Sequence, residues 1–167
     1  TTTILNALRE GYTIAIIDIK ALRQKDSIEL KRAISKIKKT IDALEWIKNK
    51  SKEDYEKIVK YLKVIKQSSQ SRMLLEKAQF NVNINSAYFA AEWYAGIIVH
   101  DVHHYYLHAI KGFKWESKTV VKHEHLCFDE QLRFLKKIKA PNWMIAHVKK
   151  AYKFGHWRPS KRKNQIW

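Results

Sequence analysis

The chain has few residues that interrupt regular structure and only one that could form a disulfide. Four glycines and two prolines among 167 residues favour helix, because both residue types destabilise helix interiors. The single cysteine, Cys127, cannot form an internal disulfide, so no compartment can be inferred from bridges. No apolar run approaches the roughly 18 residues of a membrane span. We therefore expect a soluble chain, either cytoplasmic or exported as part of a larger protein.

Acidic residues are also scarce. The 16 Asp and Glu stand against 33 Lys and Arg, which gives a formal net charge of +17. Such a charge attracts polyanions, whether nucleic acid, anionic lipid or an acidic envelope polymer, although lysines spread along helices also suit a solvated basic surface. In the C-terminal stretch KFGHWRPSKRKNQIW, basic residues alternate with aromatics, which favours polyanion binding. These residues are Lys153, Arg158, Lys161, Arg162 and Lys163.

The length and a 46% hydrophobic content fit one domain, which we predict at residues 1–157, followed by a basic aromatic tail at 158–167 that is partly mobile. Capping-box patterns begin two helices, at Asp26 and at Ser51. The first ends near KNKS, and the second is expected to bury one stripe of side chains. That stripe comprises Tyr55, Ile58, Val59, Leu62 and Ile65.

Later segments predict three more helices and two short strands. The helices are expected at 90–110, 124–138 and 142–154, the last following Pro141, which suits a helix start. Residues 12–19, YTIAIIDI, favour a strand, with a helix as the alternative, and 73–75 favour a short apolar turn. In FNVNIN the apolar residues alternate with asparagine, which is typical of a half-buried strand. The fold class is therefore α+β and predominantly helical.

The helix at 90–110 carries four of the eight histidines, in the segment VHDVHH and shortly after it. Positions four apart lie on one helix face, so His100 and His104 can direct two imidazole nitrogens at one ion. A catalytic zinc needs a third protein ligand, and Glu124, at the start of the next helix, is the best candidate. Asp101 takes the place of the general base Glu in the HExxH motif, one methylene shorter.

Two alternatives remain for this histidine-rich helix. Its histidines could be divided between core and surface with no metal involved, and spacing alone weighs this equally with metal binding. A phosphohydrolase that uses a His-Asp doublet would need further His and Asp ligands from several helices, and the chain offers no convincing set.

Longer segments resemble a known family. WYAGIIVHDVHH, EHLCFDEQLRFLKKIKAPNWMIAHV and the upstream ALEWIKNKSKEDYEKIVKYLKVI are similar to bacterial gluzincin-like zinc metallopeptidase domains, in the group with an HDxxH zinc helix. The likeness covers most of residues 43–157. It implies a zincin-like fold with a central metal-binding helix and a small β element. It also implies one zinc ion held by His100, His104 and Glu124, with Asp101 as the catalytic base.

The chain departs from the family pattern inside the zinc helix, where Val102 and His103 replace a small residue and a cysteine, and in a following loop that lacks a glycine. His103 could therefore bind substrate or compete as a ligand. Tyr88 and His147 are further candidates for substrate contact, although packing is the simpler role for each.

Three further residues lie close to Glu124 in the sequence. Cys127 fits a buried small hydrophobe better than a nucleophile, since a thiol near zinc would bind the ion in preference to attacking a substrate. His123 and His125, on either side of the predicted ligand, are expected to be exposed.

The sequence thus supports a zinc-dependent peptidase or amide hydrolase in which zinc-bound water is the nucleophile. The alternatives are a weakened or inactive metal-binding scaffold that binds a polyanion, and a toxin or effector domain of a larger protein.

Overall fold

The computed structural model describes residues 27–83 and 90–155, which form an α+β fold that is mostly helical, as predicted. Within these residues there are five α-helices and a small three-stranded sheet. The helices are α1 (Ser27–Lys50), α2 (Lys52–Tyr61), α3 (Ala91–Tyr105), α4 (Val120–Lys137) and α5 (Asn142–Phe154). The strands are β1 (Val64–Ser68), β2 (Arg72–Leu74) and β3 (Gln79–Asn83). The predicted strand at 12–19, Asp26, Tyr88 and the tail lie outside the described residues.

The stripe predicted for the second helix is wrong at three positions. Helix α2 ends at Tyr61 because Leu62 adopts an extended backbone, so Leu62 lies beyond the helix and Ile65 is buried on β1. Val59 is 55% exposed, whereas Ile58 beside it is buried. The Ser51 hydroxyl donates a hydrogen bond to the carboxylate of Asp54 and does not cap a backbone N–H, as a capping box would require.

The sheet has the order β1-β3-β2, with β1 parallel and β2 antiparallel to the central β3. Because β3 is central, its asparagines are buried along with Phe80 and Val82, so the half-buried strand predicted here is wrong in its exposure. Buried Asn83 makes two hydrogen bonds. Its side-chain Nδ2 donates to the backbone carbonyl of Ser69 at 2.7 Å, and its backbone N–H donates to the Ser71 hydroxyl at 2.9 Å. Residues 73–75, predicted as a turn, end β2 and begin a 3₁₀ turn at Leu75–Lys77.

Helix α3 is the centre of the molecule and contacts α1, α2, α4 and the sheet. It continues directly into a π-helical turn, Tyr106–Ile110, so the helical segment predicted at 90–110 is confirmed. Small residues Ala95 and Gly96 face the neighbouring helices, and a Cβ added at Gly96 would lie 3.1 Å from Leu135 Cδ2 on α4. The missing side chain therefore lets α3 and α4 approach closely enough for side chains of both to reach one point.

A polar network joins α2 to α4 beside this contact. Lys57 donates a hydrogen bond of 2.8 Å to Glu130, and Arg133 donates to Glu130 and to the buried carboxylate of Asp54. Burial alone would raise the pKa of Glu130, but hydrogen bonds and charge from Arg133 and Lys57 lower it to about 2. These ion pairs link α2 to α4.

No helix among the described residues is long and apolar enough to cross a membrane.

Candidate metal centre

His100 and His104 lie one turn apart on α3 and direct their rings at the same point. Their Nε2 atoms are 3.0 Å apart, as the spacing of four residues predicts. Both side chains are largely buried, at 12% and 8% exposure. Two ring nitrogens that converge in a buried place are a suitable half of a metal site.

Glu124 enters the same place from α4. Its Oε2 lies 3.5 Å from His100 Nε2 and 3.7 Å from His104 Nε2, and its side chain is 9% exposed. A tetrahedral zinc with bonds of 2.0 to 2.1 Å would hold its ligand atoms about 3.3 Å apart. The structure thus brings the three predicted ligands together at spacings close to those that one zinc ion requires.

Cys127 adds a fourth potential donor. Its Sγ and one ring nitrogen of each of His100 and His104 all lie within 4.8 Å of one another. The side chain is fully buried, as predicted, and lies among potential metal ligands, although packing was the expected role. Burial, followed by the negative charges of Glu124 and Asp101, raises the pKa of this thiol far above its ordinary value.

Asp101 is buried beside these groups, at 8% exposure. Burial raises the pKa of its carboxyl to about 7; the charge of His100 opposes this shift, and that of Glu124 adds to it. Asp101 follows His100 on α3, and its carboxyl is close enough to His100 and Glu124 for their charges to affect its pKa.

The two histidines predicted as ligands have opposite pKa shifts. Burial lowers the pKa of His104 well below its ordinary value, against the opposing charge of Glu124, so its ring is neutral at pH 7. Burial also disfavours the charged form of His100, but its hydrogen bond to Glu124 and the charges of Glu124 and Asp101 outweigh this and raise its pKa. Glu124, with a smaller contribution from Asp101, therefore favours the charged form of His100.

His123 was predicted to be exposed, and this is wrong, because α4 begins at Val120 and places His123 on its buried face. Its Nδ1 lies 3.0 Å from Nδ1 of His104, and the two rings are parallel. If His104 binds an ion through Nε2, its Nδ1 carries the hydrogen and donates it to His123. This contact therefore suits the ring form of His104 that would bind an ion through Nε2. His125, also predicted exposed, is half-buried and stacks on Tyr152 at 4.1 Å.

The remaining predicted residues lie around the centre or away from it. The His103 Nδ1 is 2.8 Å from Lys57 Nζ, and burial and the Lys57 charge lower the pKa of this histidine to about 4. His147 is exposed on α5 and packs edge-on against Trp93 at 5.2 Å. Lys153 is exposed near the end of α5. Tyr88, Arg158, Lys161, Arg162 and Lys163 lie outside the described residues.

Trp115 borders the centre and was not singled out from the sequence. The loop between the π-helical turn and α4 turns at Gly112, whose φ of +69° suits glycine. Trp115 in this loop lies edge-on to His104 at 5.2 Å and to His123 at 4.8 Å, yet is 43% exposed. The Trp115 ring therefore covers one side of His104 and His123.

The donor set of imidazole, carboxylate and thiol suits zinc in preference to magnesium or calcium, which select oxygen ligands. Comparisons of the chain with protein-family models, with curated proteins and with solved structures found no match. The likeness to gluzincin-like domains accordingly rests on the motif residues alone.

Proposed function

We propose that the protein is a zinc-dependent hydrolase that cleaves peptide or related amide bonds, with His100, His104 and Glu124 as zinc ligands. One observation carries the proposal: three donor atoms on two facing helices lie 3.0 to 3.7 Å apart in a buried place. The motif likeness to gluzincin-like domains supports the same ligand set.

Each residue around the centre has a separate role in the proposed hydrolysis. A zinc ion held there would supply Lewis acidity, polarising a carbonyl and lowering the pKa of water to about 7. Asp101 accepts a proton from the attacking water through its carboxylate and later returns it to the leaving amine. His123 holds the ring of His104 through the contact between their Nδ1 atoms. Trp115 limits the access of solvent.

The test compares Asp101→Ala with wild type in zinc content and in hydrolysis of a general peptide library. Loss of a general base typically costs about 10²- to 10⁴-fold in rate, so we expect that loss with one zinc per chain retained. Asp101→Glu restores the reach of the HExxH base, and a higher rate would show that aspartate is the weaker base. Asp129→Asn, which changes an exposed carboxylate, is the control and should match wild type.

The proposal fails if zinc-loaded wild type cleaves nothing in the library, or if Asp101→Ala cleaves at the wild-type rate. Protein purified without added metal is analysed first, so that zinc found in it was acquired in the cell.

A second candidate function is polyanion binding, and the distribution of surface charge favours it. Between residues 111 and 153 there are ten exposed lysines but only two exposed acids, Glu116 and Asp129. The lysines are Lys111, Lys114, Lys118, Lys122, Lys136, Lys137, Lys139, Lys149, Lys150 and Lys153. Such an excess supports salt-dependent binding of nucleic acid or an anionic surface.

This function predicts binding of duplex DNA, RNA or anionic vesicles that weakens steeply as salt increases. Replacing Lys136 and Lys137 by glutamate should weaken it and lower the salt dependence, whereas His104→Gln should leave it unchanged. Absence of binding to all three probes at low salt would contradict it.

A further inference from the structure

The position of Cys127 bears on how the centre is controlled. Cys127 follows Glu124 by three residues on α4, and this spacing puts both side chains on one helix face. That face meets the face of α3 that carries His100 and His104. The Cys127 sulfur lies within 4.8 Å of a ring nitrogen of each histidine, and Glu124 Oε2 lies 3.5 and 3.7 Å from their Nε2 atoms.

We infer that Cys127 is a fourth protein ligand of this centre, so that an ion bound there at rest is held by two histidines, one carboxylate and one thiolate. The inference rests on the proposed zinc site and concerns its regulation. Its carrying observation is that the Sγ atom and the two imidazole nitrogens all lie within 4.8 Å of one another. Small side-chain rotations would bring them to the spacing of zinc ligands, with Zn–S about 2.3 Å.

Packing alone would explain why Cys127 is buried, but it would not explain why its neighbours are groups that can bind a metal. The side chain shares its surroundings with two imidazole nitrogens and two carboxyl groups, Asp101 and Glu124, whose charges act on the thiol. On binding the ion, the sulfur loses its proton to solvent and becomes a thiolate, the form in which cysteine coordinates metals.

Coordination by Cys127 would close the site. Zinc in proteins is almost always four-coordinate in structural sites, whereas a catalytic ion keeps one position for water or substrate. Four protein ligands would leave no position open at rest, so water would reach the ion only when the Cys127 sulfur is released. The thiolate would also make the centre select zinc or cobalt over magnesium and calcium.

Cobalt(II) is the probe for this arrangement, because thiolate ligation gives a charge-transfer band in the near ultraviolet that nitrogen and oxygen ligands do not. Chelator-treated wild type, Cys127→Ala and His104→Gln are titrated with cobalt alone. Since Cys127 is the only cysteine, any such band belongs to it. We expect one cobalt per wild-type chain with the band, and in Cys127→Ala one cobalt with the band lost.

The outcomes separate this inference from the proposed function. One cobalt per wild-type chain without the band overturns Cys127 ligation and leaves the three-ligand centre standing. No stoichiometric cobalt in wild type overturns both. Zinc-edge X-ray absorption of wild type does not depend on how well the variant folds: a sulfur neighbour supports the inference, and a shell of nitrogen and oxygen only overturns it.

Discussion

Replacing His104 by glutamine is expected to lower zinc affinity by more than about 100-fold, since loss of a group that merely orients a ligand already costs about 10- to 100-fold. His104 is chosen because it contacts both His100, at 3.0 Å between Nε2 atoms, and His123, at 3.0 Å between Nδ1 atoms. Glutamine fills similar space, so the core around it should be kept. Affinity is measured by competition with a chromogenic chelator at fixed pH, because protons compete for the histidine nitrogens.

The matched control is His147→Gln, which removes an exposed imidazole on α5 that packs on Trp93. It should bind one zinc with wild-type affinity. Circular dichroism of both variants checks that the helices are retained. Equal affinities in wild type and His104→Gln would place the metal elsewhere and refute the proposed ligand set, and equal losses in both variants would show that zinc binds surface histidines generally.

The helices of the described region could be predicted from the sequence because their signals are local. Helix α5 was predicted with its observed bounds, since Pro141 marks its start and Gly155 follows its end. The sheet was largely missed because strand pairing joins distant residues. Ile65 continues the spacing of the α2 stripe, and only pairing with Phe80 across the sheet places it on β1.

The candidate site divides in the same way. The pair His100 and His104 follows from helical spacing, and Glu124 from the need for a third ligand. The positions of Cys127, His123 and Trp115 depend on how closely α4 and its preceding loop pack against α3, which the absent side chain of Gly96 permits. No local sequence pattern contains the distance between α3 and α4. The spacing of three residues does indicate that Glu124 and Cys127 lie near each other on α4.

The contact of α1 with α4 predicts a large loss of stability on replacing Phe134 by alanine. Phe134 is fully buried and packs edge-on against Trp46 of α1, with ring centroids 6.4 Å apart. Truncating a buried phenylalanine typically costs about 3–5 kcal/mol, from lost burial and from the cavity left behind. Phe154→Ala removes a ring that is 47% exposed and should cost within about 0.5 kcal/mol. Urea unfolding of metal-free protein measures both.

Zinc should offset much of this loss, because an ion held by α3 and α4 together binds the native state and not the unfolded chain. At a free zinc concentration 100 times the dissociation constant, binding stabilises the native state by about 2.7 kcal/mol. Phe134→Ala should therefore recover about that much with zinc, whereas Phe134→Ala combined with His104→Gln should recover almost nothing. An equal gain in the two proteins would mean that the stabilising zinc binds outside the centre, and no gain in either would mean that α3 and α4 do not hold a metal between them.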